Sequence, residues 1–101
     1  MKHILSLNLR RILGNAGMNY NKIQELRLRC NQPLIIYYEN QEFYISEEQG
    51  LHKQLEQAYI VTHKDIHETM EYVSNYSFYA FEEELKQGFI TVSGGHRVGI
   101  T

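Results

Sequence analysis

Gly88-Phe89-Ile90-Thr91-Val92-Ser93-Gly94-Gly95-His96-Arg97-Val98-Gly99-Ile100 compresses two strands, a glycine turn and a cationic pair into one run. Apolar residues recur at every second position on both sides of the glycines, as in a half-buried β-hairpin. A two-residue Gly94-Gly95 turn would set Val92 opposite Arg97, an apolar position against a cation. A three-residue loop of Gly94, Gly95 and His96 sets Val92 opposite Val98 and Ile90 opposite Ile100, and is the expected register. Ser93 and Arg97 then share the opposite face, with Thr91 and Gly99 beside them. The run stops at Thr101. A closing hairpin is usually followed by a polar tail or a last helix, so the chain is expected to be part of a longer polypeptide.

Working back from the hairpin, Thr62 and Asp65 form a capping-box pattern ahead of Ile66, Met70 and Val73 at i, i+4 and i+7. This predicts a helix over about residues 63 to 74. Ser74 or Ser77 could cap a further short helix through Phe78, Phe81 and Leu85. There Glu82, Glu83 and Glu84 suit the early turns, Lys86 the end, and Gly88 the stop. Glu25-Leu26-Arg27-Leu28-Arg29-Cys30 alternates strictly and predicts a half-buried strand, broken by Asn31-Gln32-Pro33. Leu34 to Tyr38 and Phe43 to Ile45 read as a strand pair joined by Glu39-Asn40-Gln41-Glu42. Ser46 to Lys53 reads as a loop, and Ala58 to Val61 as a short strand. Leu5, Leu9, Ile12 and Leu13 share one face of an amino-terminal helix, stopped by Gly14, Asn15 and Gly17. Strand pairs and helices segregate along the chain, so the expected class is α+β: an antiparallel sheet of about four to six strands with helices packed on one face.

The 101 residues, 43% of them hydrophobic, allow one domain with one modest core. A net charge of −2 provides no global field toward nucleic acid or an anionic membrane. The longest apolar run, Leu34 to Tyr38, is far short of the roughly 20 residues of a membrane-spanning helix. No signal-peptide pattern precedes Gly17, so a cytosolic location is expected. Cys30 is the only cysteine, which excludes an internal disulfide and a cysteine-rich zinc site.

Several motifs could carry chemistry. Ser93-Gly94-Gly95-His96-Arg97 could cradle a phosphate through backbone amides and a guanidinium, although glycines in a tight turn first serve positive φ. No G-x-x-x-x-G-K-[ST] occurs, so this chain by itself is not a P-loop nucleotidase. His63 and His67 have the i, i+4 spacing of metal ligands without the glutamate of H-E-x-x-H; they read as a solvated helix face, and no metal site is expected. Arg27 and Arg29 project from one strand face and with Arg97 could meet a phosphate or a partner's carboxylate, or they could simply guard a solvated sheet. The rings from Tyr72 to Phe81 lack interleaved cations, which favours packing over stacking on single-stranded nucleic acid. No nucleophile has an evident base beside it, so no catalytic residue is assigned.

Ile23 to Arg29, Asn31 to Leu34, Tyr72-Val73-Ser74, Ser77 to Ala80, Glu83-Glu84-Leu85 and Gly88 to Gly99 together resemble the amino-terminal part of the stage III sporulation protein AA family. The densest part of the resemblance runs from Tyr72 to Gly99. It implies kinship with type II and type IV secretion ATPases, and that residues 1–101 are an amino-terminal domain whose P-loop ATPase domain lies outside this chain. The intact parent would then bind ATP and Mg²⁺ and form a ring, while this part needs no cofactor. Implied partners are the ATPase domain, neighbouring subunits and membrane-bound sporulation channel proteins. The implied location is the mother-cell cytoplasm, peripheral to the forespore membrane. By this resemblance Arg27, Arg29, His96 and Arg97 are candidates for phosphate or interdomain contact, with Gly94, Gly95 and Gly99 shaping the turn. The alternative is a nucleic-acid-binding module using the same arginines and the tyrosine cluster.

Overall fold

Two side chains, Ser6 and Thr62, start the two α-helices found among the described residues. The Ser6 hydroxyl accepts from the Leu9 N–H at 3.2 Å and opens α1, Leu7–Asn15. Thr62 and Asp65 complete the expected box: Asp65 N–H donates to Thr62 Oγ1 and Thr62 N–H to the Asp65 carboxylate, both at 3.1 Å. They open α2, His63–Ser74. In this computed structural model residues 5–74, 89–92 and 96–100 are described. The helix expected through Phe78, Phe81 and Leu85 lies outside them.

Gly14 and Asn15 remain helical, and the chain leaves α1 at Gly17, whose φ of 69° is left-handed. A single 3₁₀ turn, Tyr20–Lys22, leads into β1, Ile23–Leu28. β2 (Ile35–Tyr38), β3 (Gln41–Ser46), β4 (Gly50–His52), β5 (Phe89–Val92) and β6 (His96–Ile100) complete a six-stranded sheet in the order β4-β3-β2-β1-β6-β5. The α+β class and helices on one face are as expected. The sheet is mostly antiparallel, with one parallel pair between β1 and β6.

The β2–β3 connection is tighter than the sequence implied. Glu39 and Asn40, at φ 50° and 65°, form a two-residue turn, so Gln41 and Glu42 join the strand and Glu42 sits opposite Tyr37. Two positive-φ residues give the turn the twist of the flanking strands. Residues 46–53 are also more than a loop: β4 folds back on β3, pairing Tyr44 with His52 and Ile45 with Leu51. Conversely, Ala58 to Val61 makes only one bridge, Ile60 with Pro33. Its backbone is nonetheless used, since Tyr59 N–H reaches Ile45 O at 2.7 Å and Leu34 N–H reaches Tyr59 O at 2.9 Å.

The terminal hairpin departs from the expected register by two residues. Ile90 lies opposite Val98 and Val92 opposite His96, so His96 belongs to β6 and three residues, 93–95, connect the strands. A shift of two keeps every position on its alternate set, which is why the pattern of the run allowed both registers. Gly94 and Gly95 lie outside the described residues. Gly99 does not form a turn; it is a strand position, paired with Phe89 of β5 and Arg27 of β1.

Leu26, Leu28, Ile36, Ile45 and Val98 from the sheet meet Leu9, Ile12 and Leu13 of α1 and Ile66 of α2 in one core. Each fully buried aliphatic side chain contributes about 1.5–3 kcal/mol relative to exposure. Both helices therefore cover the same face of the sheet. The other face carries Glu25, Arg27, Ile35, Tyr37, Glu42 and Tyr44 on β1 to β3.

Candidate functional site

The face opposite the helices holds Arg27, one of the arginines singled out from sequence. β1 alternates, so burying Leu26 and Leu28 turns Glu25 and Arg27 outward. Arg27 packs over the Tyr37 ring, its guanidinium carbon 4.9 Å from the centroid, and its Nε is 3.5 Å from Glu25 Oε1. Tyr37 O–H in turn donates to Glu42 at 2.8 Å. That bond, followed by burial, raises the Tyr37 phenol above its usual range, so the ring stays a donor.

Backbone register extends this row. Glu42 faces Tyr37, Tyr37 faces Glu25, Glu25 faces Arg97 on β6, and Arg97 faces Thr91 on β5. Arg27 pairs with Gly99 one step further along. Parallel pairing thus brings Arg27 and the Arg97 position onto adjacent strands. Arg29 lies beyond the end of β1, exposed, with its carbonyl accepting the Gln32 N–H at 3.0 Å. His96 lies opposite Val92 at the start of β6.

Sequence reasoning missed Tyr37 as the neighbour of Arg27 and Glu42 as the partner of Tyr37. The available signal was the alternation of Tyr37 with Ile36 and of Glu42 with Phe43. A four-residue loop obscured it, because that count leaves Glu42 in the loop and sets Tyr37 opposite Tyr44 instead of Glu42. In the tyrosine cluster, Tyr72 stacks under Arg10 at 5.0 Å, which is packing between the helices. The rings beyond residue 74 lie outside the described residues.

A second polar centre joins the two helix starts. Asp65, 2% exposed, accepts from Ser6 O–H at 3.0 Å through Oδ1 and from Tyr59 O–H and Thr62 N–H through Oδ2. Ser6 N–H donates to Thr69 Oγ1 at 3.1 Å, and Asn8 Nδ2 to the Tyr59 hydroxyl at 2.6 Å. Burial, then the bond to Asp65, pushes the Tyr59 phenol far up, so it remains protonated. An open cleft of about 580 Å³ adjoins this centre, lined by Leu7, Asn8, Arg11, Lys64 and Glu68 among others. Two of the first-turn amides beside it are taken: Leu7 N–H faces Glu68 Oε2 at 3.4 Å and Asp65 N–H is held by Thr62. With both carboxylate oxygens accepting hydrogen bonds, Asp65 ties the two helix starts and the Tyr59 segment together.

The family description "Sporulation stage III, protein AA" matches the chain over residues 1–101. The chain belongs to the sporulation stage III protein AA family. It is similar to the stage III sporulation protein AA of Bacillus subtilis (strain 168), with 39% identity over 79 residues. That stretch is 78% of this chain but 22% of the relative, so the chain spans less than a quarter of the curated protein it matches. No solved structure matches. For the sporulation protein AA family, membership supports a role in sporulation. Among the described residues of this member no helix is long and apolar enough to cross a membrane. Nor does any group of three or more His, Cys, Asp or Glu among them stand ready to hold a metal ion.

Proposed function

We propose that this chain is the non-catalytic amino-terminal positioning domain of a sporulation ATPase of the secretion type, with the outer sheet face as its docking surface. The supporting observation is the half-buried Arg27, Tyr37 and Glu25, with exposed Glu42 continuing their row, on the face that neither described helix covers. A guanidinium held over a ring has lost little freedom still to be paid on docking, and presents its remaining N–H groups to a carboxylate or phosphate. The occupant would be the parent's own ATPase domain or that of a neighbouring subunit in a ring. ATP and Mg²⁺ would bind there, and nucleotide-driven movement would pass through this domain to membrane-bound channel proteins between mother cell and forespore. The great excess of the relative's length over the matched stretch is compatible with such a second domain.

The test uses the full-length protein that carries this domain. Arg27→Glu should leave the isolated domain folded while lowering ATP hydrolysis and ring assembly, followed by phosphate release and sedimentation. Wild-type hydrolysis and assembly in that variant would remove Arg27 from the docking surface. A parent without nucleotide turnover would remove the motor. Steeply salt-dependent binding of the domain to single-stranded or duplex nucleic acid would favour the alternative module.

A further inference from the structure

His63 and His67 stand one turn apart on the exposed side of α2, away from the outer sheet face. Their imidazole planes lie within 11° of parallel, with centroids 6.4 Å apart. One more turn along, Glu71 Oε1 lies 2.9 Å from His67 Nε2. We propose that His63 and His67 form an open surface site for a divalent transition-metal ion such as nickel, copper or zinc, with Glu71 orienting the His67 ring.

The helix supplies the spacing, because i and i+4 side chains rise from the same face with Cβ atoms about 5–6 Å apart. Imidazole nitrogen suits these metals in preference to magnesium or calcium. Donation from His67 Nε2–H to Glu71 leaves Nδ1 with the lone pair, and a carboxylate on the far nitrogen fixes the tautomer and ring orientation of a ligating histidine. Metal–nitrogen bonds of about 2.0–2.1 Å require the rings to swing toward each other. The His67 side chain is 64% exposed, so this rotation displaces no packed neighbour. Sequence reasoning set the pair aside because a closed site needs third and fourth ligands. Among the described residues no third ligand joins, and the remaining positions fall to water or to a group from a docked partner.

Isothermal titration of the untagged chain with zinc chloride tests the site. One ion per chain is expected. Binding should fall below detection in His63→Ala and in His67→Ala. His52→Ala, on β4, should leave it unchanged. Glu71→Gln should weaken it by about tenfold, the usual loss when the carboxylate behind a histidine is removed. Circular dichroism of each variant checks that α2 persists. No heat of binding at millimolar metal, or binding that survives both histidine variants, overturns the site. Equal affinity in Glu71→Gln overturns the orienting role.

Discussion

Gln24 holds Asn40 by both ends of its amide: Nε2 donates to Asn40 Oδ1 at 2.7 Å and Oε1 accepts the Asn40 N–H at 2.6 Å. A bulge between Ile23 and Glu25 turns Gln24 out of the β1 ladder and aims it at the β2–β3 turn. The same turn carries Glu39, paired with Lys22 at 3.1 Å. Two residues at positive φ are thus held against the start of a central strand.

Gln24→Ala should therefore destabilise the domain by about 1 kcal/mol, the net scale of such hydrogen bonds. Urea unfolding should show a lower midpoint with an unchanged slope. Asn40→Gly preserves the backbone geometry and loses one bond, so it should cost less than Asn40→Val, which places a β-branched residue at φ 65°.

Asp65, in the first turn of α2, collects donors from Ser6 at the cap of α1 and from Tyr59 and Thr62 in the segment before α2. Replacing it with Ala leaves Ser6, Tyr59 and Thr62 donors without their acceptor, at a cost of about 3 kcal/mol or more. Asp65→Asn retains an acceptor and should lose less. Chemical denaturation of both variants checks the order, and equal losses would mean that the network contributes little beyond side-chain volume.

Tyr59 carries a pH prediction whose sign follows from its raised phenol. Above the ordinary phenol value of 10.0 the unfolded chain releases this proton while the folded chain keeps it. Stability is then flat with respect to this group below that pH and falls as pH rises through and beyond it. Tyr20 and Tyr37 are shifted in the same direction and add to the slope. Tyr59→Phe should be less stable at pH 8 yet lose less between pH 9 and 11, read from urea midpoints at each pH.

For Arg97, the expected outcome of Arg97→Ala is near-normal folding of the domain with impaired ATPase activity of the intact parent. Severe unfolding would make the residue structural, and unchanged activity would remove it from the docking row. Phosphate release and thermal melting, measured side by side, separate these results.

Local chemistry made much of the fold legible. The helix over residues 63–74 could be read because Thr62, Asp65, Ile66 and Met70 carry its start and its face within three turns. The same is true of α1 with Leu9, Ile12 and Leu13, Leu5 being buried just ahead of the helix, and of β1 with Leu26 and Leu28. Each signal is a periodicity or a cap that a few neighbouring residues complete by themselves.

Pairing across long separations was not legible. Nothing in the alternation of Glu25 to Arg29 says that β6 lies alongside it in parallel, or that Arg97 stands opposite Glu25. A period of two is equally satisfied by registers two residues apart, so the closing hairpin was offset and β4, too short to show alternation, passed for a loop. The residues of this chain determined by themselves where helices begin, which strand face is apolar and to which family it belongs. Tertiary structure alone decided the strand order and the company of Arg27, because burying one shared core selects among pairings that local sequence leaves equal in energy.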